Sequence, residues 1–434
     1  MHIHFIGIGG IGVSALARHV LFEGYKVTGS DLSDSELIQD LIDKGAEISI
    51  NHSKKNINKN IDRVVFSPAV PKDNPERKEA ERLGIDLFSY PEALGELTKN
   101  YFTIAVSGTH GKSTTTSMAG LMMEEAGLDP TVVVGTKLTE FDNSNYKKGD
   151  SKYLLIEADE WQGSLLNYNP DIAILTNLEL EHLDYYKNLS ELVDTFQNYL
   201  EKIKEGGKVI LNGEDQNLKK LKTDKETHKF SKKEKIADKV KSVLKVPGDH
   251  NLENALAVFR LGEVLGVDRD IILKGLSKFK GTWRRFEQKE ATVRGNKQTL
   301  ISDYAHHPTE LQAVLEACRE KFPQKEIWAL FQPHQYQRSL HLKDDFREVF
   351  NRHPVDKLFI TDIYSVPGRE KEEIKEKINS KKLAADTNAD YLAGNLESLT
   401  QFLRDNLQGD ELIVIIGAGD IYKLEAGLKG YKNQ

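Results

Sequence analysis

Three times in this chain a short run of apolar residues ends near a glycine and gives way to a helical pattern. The runs cover residues 3–6 before Gly7, 102–106 before Gly108, and 412–416 before Gly417. An apolar run without polar alternation suits a strand buried on both faces, as parallel strands are, and the glycine marks a tight turn into a helix N-terminus. Three such units predict three α/β domains, which we place at residues 1–99, 100–282 and 283–434. The length of 434 residues agrees, because a single hydrophobic core stops growing near ~250–300 residues.

Further strands are expected at residues 26–29 and 63–66 in the first domain, with a helix over 14–22. Pro68, Pro71 and Pro75 punctuate a loop after the second of these strands, where a ligand crevice would open. The second domain should add strands at 153–156, 172–176 and 208–211. Its lysine-rich stretch 218–245 reads as a solvated peripheral insert. Helices are expected at 251–265 and 270–279, before the third domain opens near Gly281 and Thr282. Strands at 299–303, 327–331 and 357–361 would then alternate with helices in a mostly parallel sheet. The charged stretch 369–382 reads as a solvated helix face.

Composition narrows the function. The formal net charge of −7 opposes general attraction to nucleic acid or to an anionic membrane surface, so neither is an expected partner. The single cysteine, Cys318, cannot form an internal disulfide, and its helical setting predicts a core thiol rather than a nucleophile. The chain opens without a basic and apolar leader, and no apolar run approaches ~18 residues, so a cytoplasmic protein is expected.

The strongest chemical signal is Ser107-Gly108-Thr109-His110-Gly111-Lys112-Ser113, set between a strand and a helix that begins with Thr114. A phosphate chain needs backbone N–H groups in close approach, a positive helix end, an ammonium and a hydroxyl for magnesium, and this segment offers each in order. It departs from the strict P-loop spacing, since Val106 stands where that pattern has its first glycine. Glu157 and His182 leave the ends of neighbouring strands and join Ser113 as candidate magnesium ligands; carboxylate and hydroxyl suit that ion, and histidine is the odd member. Near the start, Gly7-Ile8-Gly9-Gly10-Ile11-Gly12 follows a strand, and Asp31 closes the next one. That pattern marks close backbone approach to a diphosphate, such as a dinucleotide or a UDP-sugar. Farther on, Gly248 to Asn251 open a helix that carries Asn254, placed to meet an adenine edge. Arg284 and Arg285 offer two guanidiniums for a transferring phosphoryl group. Asp303 to Pro308 and Gln332 to Arg338 leave two strand ends toward one crevice. Zinc is not expected, because the histidine pair lacks regular ligand spacing.

Taken in order, these segments resemble the Mur ligases across nearly the whole chain. They comprise the glycine cluster at Gly7, Gly-Thr-His-Gly-Lys-Ser, Glu-Ala-Asp-Glu, Glu-His-Leu-Asp, Arg-Arg-Phe, Asp-Tyr-Ala-His-His-Pro and Gln-Pro-His. The resemblance implies a Rossmann-like N-terminal domain for the UDP-sugar, a P-loop ATPase-like central domain and a Rossmann-like C-terminal domain for the amino acid. It implies Gly9, Gly10, Asp31 and Ser67 at the UDP-sugar. Gly108, Thr109, His110, Gly111, Lys112, Ser113 and Thr114 would hold the ATP phosphates, with Asn254 at adenine and Arg285 at phosphate. Ser113, Glu157 and His182 would hold Mg2+, while Tyr304, His306 and Arg338 would face the amino acid. Lys112, Glu157, His182, Arg285 and His306 are the residues it assigns to catalysis.

The activity implied is ATP-dependent amide formation between the lactyl carboxylate of UDP-N-acetylmuramate and L-alanine through an acyl phosphate, by a monomer or homodimer. Two departures bear on this. Gln335 stands where many alanine-adding relatives carry a basic residue, so Arg338 must recognise the amino acid's carboxylate. Gln197 stands where later ligases of the family carry a carbamylated lysine, which favours the alanine-adding branch or the murein-peptide ligases. The latter, adding a preformed peptide to the same sugar nucleotide, are the nearest alternative. A nicotinamide-dependent dehydrogenase or a non-catalytic nucleotide switch would leave part of the pattern unused.

Overall fold

A computed structural model describes residues 1–182, 185–293, 295–365 and 372–428. These residues form three sheets in an α/β architecture. The first is all parallel, in the order Glu47–Ile50, Lys26–Asp31, His2–Ile6, Arg63–Phe66 and Asp86–Ser89. The second runs Glu226–Phe230, Lys208–Asn212, Ile172–Leu175, Phe102–Ser107, Tyr153–Glu157, Thr131–Leu138 and Ser144–Lys147, parallel except for the last strand. The third runs Glu287–Val293, Asn296–Asp303, Leu412–Ile416, Ile327–Phe331, Lys357–Ile360 and Asp390–Tyr391, antiparallel only at its first pair.

The three apolar runs each lie inside a sheet, flanked on both sides, as their uninterrupted hydrophobicity predicts. The expected strands left out one inner strand, Thr131–Leu138, whose run Val132 to Val134 is buried, and they left out the edges. Glu47–Ile50, Asp86–Ser89, Ser144–Lys147 and Glu287–Val293 are edge strands rich in polar residues, so they lack the apolar run that marks a central strand. The lysine-rich stretch 218–245 needs correction for the same reason. It supplies the edge strand Glu226–Phe230 and the helix Ala237–Val243, with Phe230, Ala237 and Val240 buried. A few apolar residues, these and the buried Leu218, anchor it, too sparse a pattern to stand out among lysines. The Gln197 side chain ties it down further, donating to the Lys222 carbonyl at 2.8 Å and accepting from its N–H at 2.9 Å.

Two compact units result. One holds residues 1–243 and 253–279, and so the first two sheets; the other holds 244–252 and 280–434 with the third. Within the first unit, the helix Ile11–Phe22 is fastened to the strand Ser144–Lys147. Asn145 Nδ2 donates to Ser14 Oγ at 2.9 Å, and His19 Nδ1 meets the Tyr146 hydroxyl at 3.0 Å. In the second unit Cys318 is buried in the apolar core, where burial pushes its thiol pKa up, as the reading of a core thiol requires. The stretch 369–382 is two short helices, Glu372–Lys377 and Ser380–Ala384, with residues 369–371 outside the described ones. No helix among the described residues is long and apolar enough to cross a membrane.

Candidate nucleotide site and its partners

The strand Phe102–Ser107 sits at the middle of the seven-stranded sheet and ends in the glycine turn. Gly108 has φ +130°, and a Cβ there would lie 2.2 Å from Thr176 Oγ1; Gly111 has φ +84°, and a Cβ would lie 2.2 Å from Asn254 Oδ1. Both positions thus require glycine, and Asn254 is packed directly on the turn. The neighbouring strand end braces the same loop: Thr176 Oγ1 donates to the His110 carbonyl at 2.7 Å, and the His110 N–H donates to Asn177 Oδ1 at 2.8 Å. Thr109 Oγ1 donates to the Glu179 carbonyl at 2.8 Å. The helix Lys112–Glu125 then starts with its N-terminal amides beside the turn, a positive end suited to phosphate.

Lys112 folds back over this loop. Its ammonium donates to the Gly108 carbonyl at 2.7 Å and to Glu160 Oε2 at 2.8 Å, with Asp159 at 3.9 Å. Burial disfavours its charge, but Glu160, Asp159 and Glu157 outweigh burial and raise its pKa. Glu160 is wholly buried, and its second oxygen lies 3.4 Å from His182 Nε2. Desolvation alone would raise the Glu160 pKa; Lys112 and His182 reverse this and bring it down to about 2. Sequence reading named Glu160 only as part of an acidic run. What distinguishes it is complete burial, which a loop sequence does not reveal.

Ser113 Oγ donates to Glu157 Oε2 at 3.0 Å, while Glu157 Oε1 accepts from the Gly135 N–H at 2.6 Å. Burial raises the Glu157 pKa. A hydroxyl and a carboxylate at the phosphate turn form an oxygen donor set that fits magnesium. The structure pairs His182 with Glu160 and Asp159 instead, three ligand atoms within 4.8 Å of one another. A ring whose Nε2–H faces a carboxylate presents Nδ1 as its lone-pair nitrogen, the usual arrangement of a metal-ligating imidazole.

The first glycine cluster is also assembled. Gly7 has φ +76°, with Ser67 Cβ 3.0 Å from where its own Cβ would be. The Gly9 N–H donates to Asp31 Oδ2 at 2.8 Å, and Gly10 caps the helix Ile11–Phe22. Gly9, Gly10, Asp31 and Ser67 therefore surround one turn.

In the second unit, Arg285 lies 3.4 Å from Glu310 Oε1 and over the Tyr304 ring at 5.2 Å. His306 Nδ1 is 3.0 Å from the Tyr304 carbonyl and 3.3 Å from Glu310 Oε2. Arg338, nearly buried, places Nη1 3.2 Å from His334 Nδ1, and the His334 and His306 rings stand 6.0 Å apart. Arg285, Tyr304, His306, His334 and Arg338 thus follow one another in a single chain of contacts. Arg284 is not a second phosphate clamp. It is buried against Tyr304 and Tyr422 and donates to the carbonyls of Gly417 and Gly419, so its charge holds the glycine loop after the last strand.

A glycine turn on a central parallel strand, with a part-buried lysine and carboxylates behind it, is the arrangement expected of the nucleoside-triphosphate-binding class of α/β proteins. Family profiles extend this along the chain: "Mur ligase family, catalytic domain" matches residues 2–102, "Mur ligase middle domain" 106–262, and "Mur ligase, glutamate ligase domain" 284–419. The chain belongs to the Mur ligase family. It is 39% identical to a UDP-N-acetylmuramate–L-alanine ligase of Alkaliphilus metalliredigens over 97% of this chain and 95% of that one. The ligase of the same name from Persephonella marina is 39% identical over 98% and 95%. Among solved structures, the UDP-N-acetylmuramate-alanine ligase of Thermotoga maritima superposes with a TM-score of 0.79 at 27% identity, covering 98% of this chain and 97% of that. A murein peptide ligase of Psychrobacter arcticus, at 21% identity, shares the fold with a TM-score of 0.74 over both full lengths.

Proposed function

We infer that this chain joins L-alanine to the lactyl carboxylate of UDP-N-acetylmuramate, with conversion of ATP to ADP and phosphate, in the synthesis of peptidoglycan precursors. The observation that carries the chemistry is the part-buried Lys112 ammonium at the glycine turn, shared between loop carbonyls and Glu160. The identity of the substrates rests on relatives of that name at 36–39% identity along the whole chain.

In this reading residues 1–99 bind the UDP-sugar, 100–282 bind ATP and 283–434 bring the amino acid. The lactyl carboxylate attacks the γ-phosphorus and ADP departs; the amine then attacks the acyl phosphate, and phosphate departs as the amine loses its proton. Two anions must meet in the first step, so neutralisation and positioning dominate, as in other phosphoryl transfers. The amides of residues 108–114 cradle the triphosphate, Lys112 and Arg285 oppose the transferring charge, and Asn254 orients the adenine. Ser113, Glu157 and His182 would hold magnesium, which supplies further neutralisation of the phosphate oxygens. His306 is the candidate base for the amine. Its Nδ1 faces a carbonyl, which only accepts, so the neutral ring carries its basic lone pair on Nε2. Arg338 grips the amino acid's carboxylate. Nucleotide substrates and the one buried thiol suit the cytoplasm.

Phosphate release from ATP, assayed with UDP-N-acetylmuramate, magnesium and a panel of amino acids, tests the reading. Turnover should require the sugar nucleotide and favour L-alanine over glycine and L-serine. Equal or better turnover with a peptide acceptor in place of alanine would overturn it.

A further inference from the structure

Tyr90 took no part in the reading of the sequence, yet it stands where the two nucleotide-binding halves of the first unit meet. It opens the helix Tyr90–Asn100, directly after the capping serine Ser89. Its ring packs against both apolar cores of that unit, the one beneath the five-stranded sheet and the one beneath the seven-stranded sheet. The phenol end reaches the first glycine cluster: a Cβ on Gly12 would fall 2.8 Å from Tyr90 Cζ and 2.9 Å from its hydroxyl oxygen. Any larger residue at position 12 would have to displace this ring.

The hydroxyl has no hydrogen-bond partner among the described residues, although the ring that carries it is half-buried. The Tyr186 hydroxyl of the same unit donates to the Glu160 carbonyl at 2.6 Å, and the unpartnered Tyr199 hydroxyl is sealed in the core, whereas that of Tyr90 lies beside Gly12. Burial raises the Tyr90 pKa, and the nearby carboxylates of Glu157 and Asp159 raise it further. The group therefore remains an O–H donor at any physiological pH, with the diphosphate turn on one side and the acidic residues of the phosphoryl-transfer site on the other.

We propose that the Tyr90 hydroxyl is a substrate-binding donor that hydrogen-bonds an anionic oxygen of the bound UDP-sugar, on its diphosphate or its lactyl carboxylate. The proposal rests on the function inferred above. A packed ring whose donor no protein group claims is well suited to the task, because the side chain loses little further rotamer freedom when the ligand arrives. The donor also sits between the two sites that must be aligned for the carboxylate to reach the γ-phosphate.

Tyr90→Phe removes the hydroxyl and keeps the ring that both cores pack on. Its melting temperature should match that of the wild-type protein. KM for UDP-N-acetylmuramate should rise about ten- to a hundredfold, the loss expected for one hydrogen bond to a charged group, while KM for ATP moves less than twofold. Titration calorimetry with UDP-N-acetylglucosamine, which has the diphosphate but lacks the lactyl group, separates the two sources. Weakened binding of both nucleotides assigns the diphosphate, and weakened binding of UDP-N-acetylmuramate alone assigns the lactyl carboxylate. An unchanged KM for the sugar nucleotide, or a lowered melting temperature with both KM values shifted together, overturns the proposal. Wild-type protein that neither binds nor turns over UDP-N-acetylmuramate would instead overturn the function on which it rests.

Discussion

The ammonium of Lys112 and the buried carboxylate of Glu160 are 2.8 Å apart, so the lysine proposed to meet the triphosphate already has an anionic partner. ATP has to compete with that carboxylate. Glu160→Gln should therefore tighten ATP binding severalfold in a direct titration. It should lower kcat, because His182 loses the charge 3.4 Å from its Nε2. Weaker ATP binding at an unchanged melting temperature would show that Glu160 assists the nucleotide rather than competing with it.

The same carboxylate predicts an acid limb in stability. Its folded-state pKa lies near 2 against an ordinary 4.5, so its contribution is fully present above pH 4.5 and is lost as pH falls from 4.5 toward 2. Urea unfolding at intervals from pH 5.5 to 3.5 should show stability falling across the lower part of that range. In Glu160→Gln the slope should be shallower; identical slopes would contradict the depressed pKa.

Gly111 offers a test of the turn. Alanine there meets Asn254 Oδ1 at 2.2 Å and must adopt φ +84°, a left-handed conformation costing a non-glycine residue about 1–3 kcal/mol when combined with local strain. Gly111→Ala should raise KM for ATP at least tenfold and lower the melting temperature. Adding Asn254→Ala removes the collision but not the backbone strain, so stability should recover only in part. Full recovery would mean that backbone conformation is unimportant at this position.

Arg338 should govern one substrate alone. Its Nη1 is held against His334 Nδ1 at 3.2 Å, and the His334 ring leads on through His306 to Tyr304. A hydrogen bond to a charged group contributes roughly 1.5–3 kcal/mol. Arg338→Ala should accordingly raise KM for L-alanine about ten- to a hundredfold and leave KM for ATP unchanged. Arg338→Lys should not restore it, since an ammonium lacks the planar fork. A matching rise in both KM values would place Arg338 outside the amino-acid site.

The amino-acid sequence by itself determined the α/β class, the two glycine turns and the central strands apart from Thr131–Leu138. Uninterrupted apolar runs and glycines at fixed offsets are local consequences of burial on both faces and of positive φ. It also marked Lys112, Ser113 and Glu157, because their chemistry follows directly on those strand ends. Tertiary structure decided which like groups differ. Arg284 and Arg285 are neighbours in sequence, yet one is sealed under Tyr304 and Tyr422 while the other pairs with Glu310. Glu160 gained its place beside Lys112, and Tyr90 its place against Gly12, only when strands distant in sequence came together. The polar edge strands were hidden for the same reason. Burial and charge pairing depend on what the rest of the chain places nearby, and no local spacing encodes that.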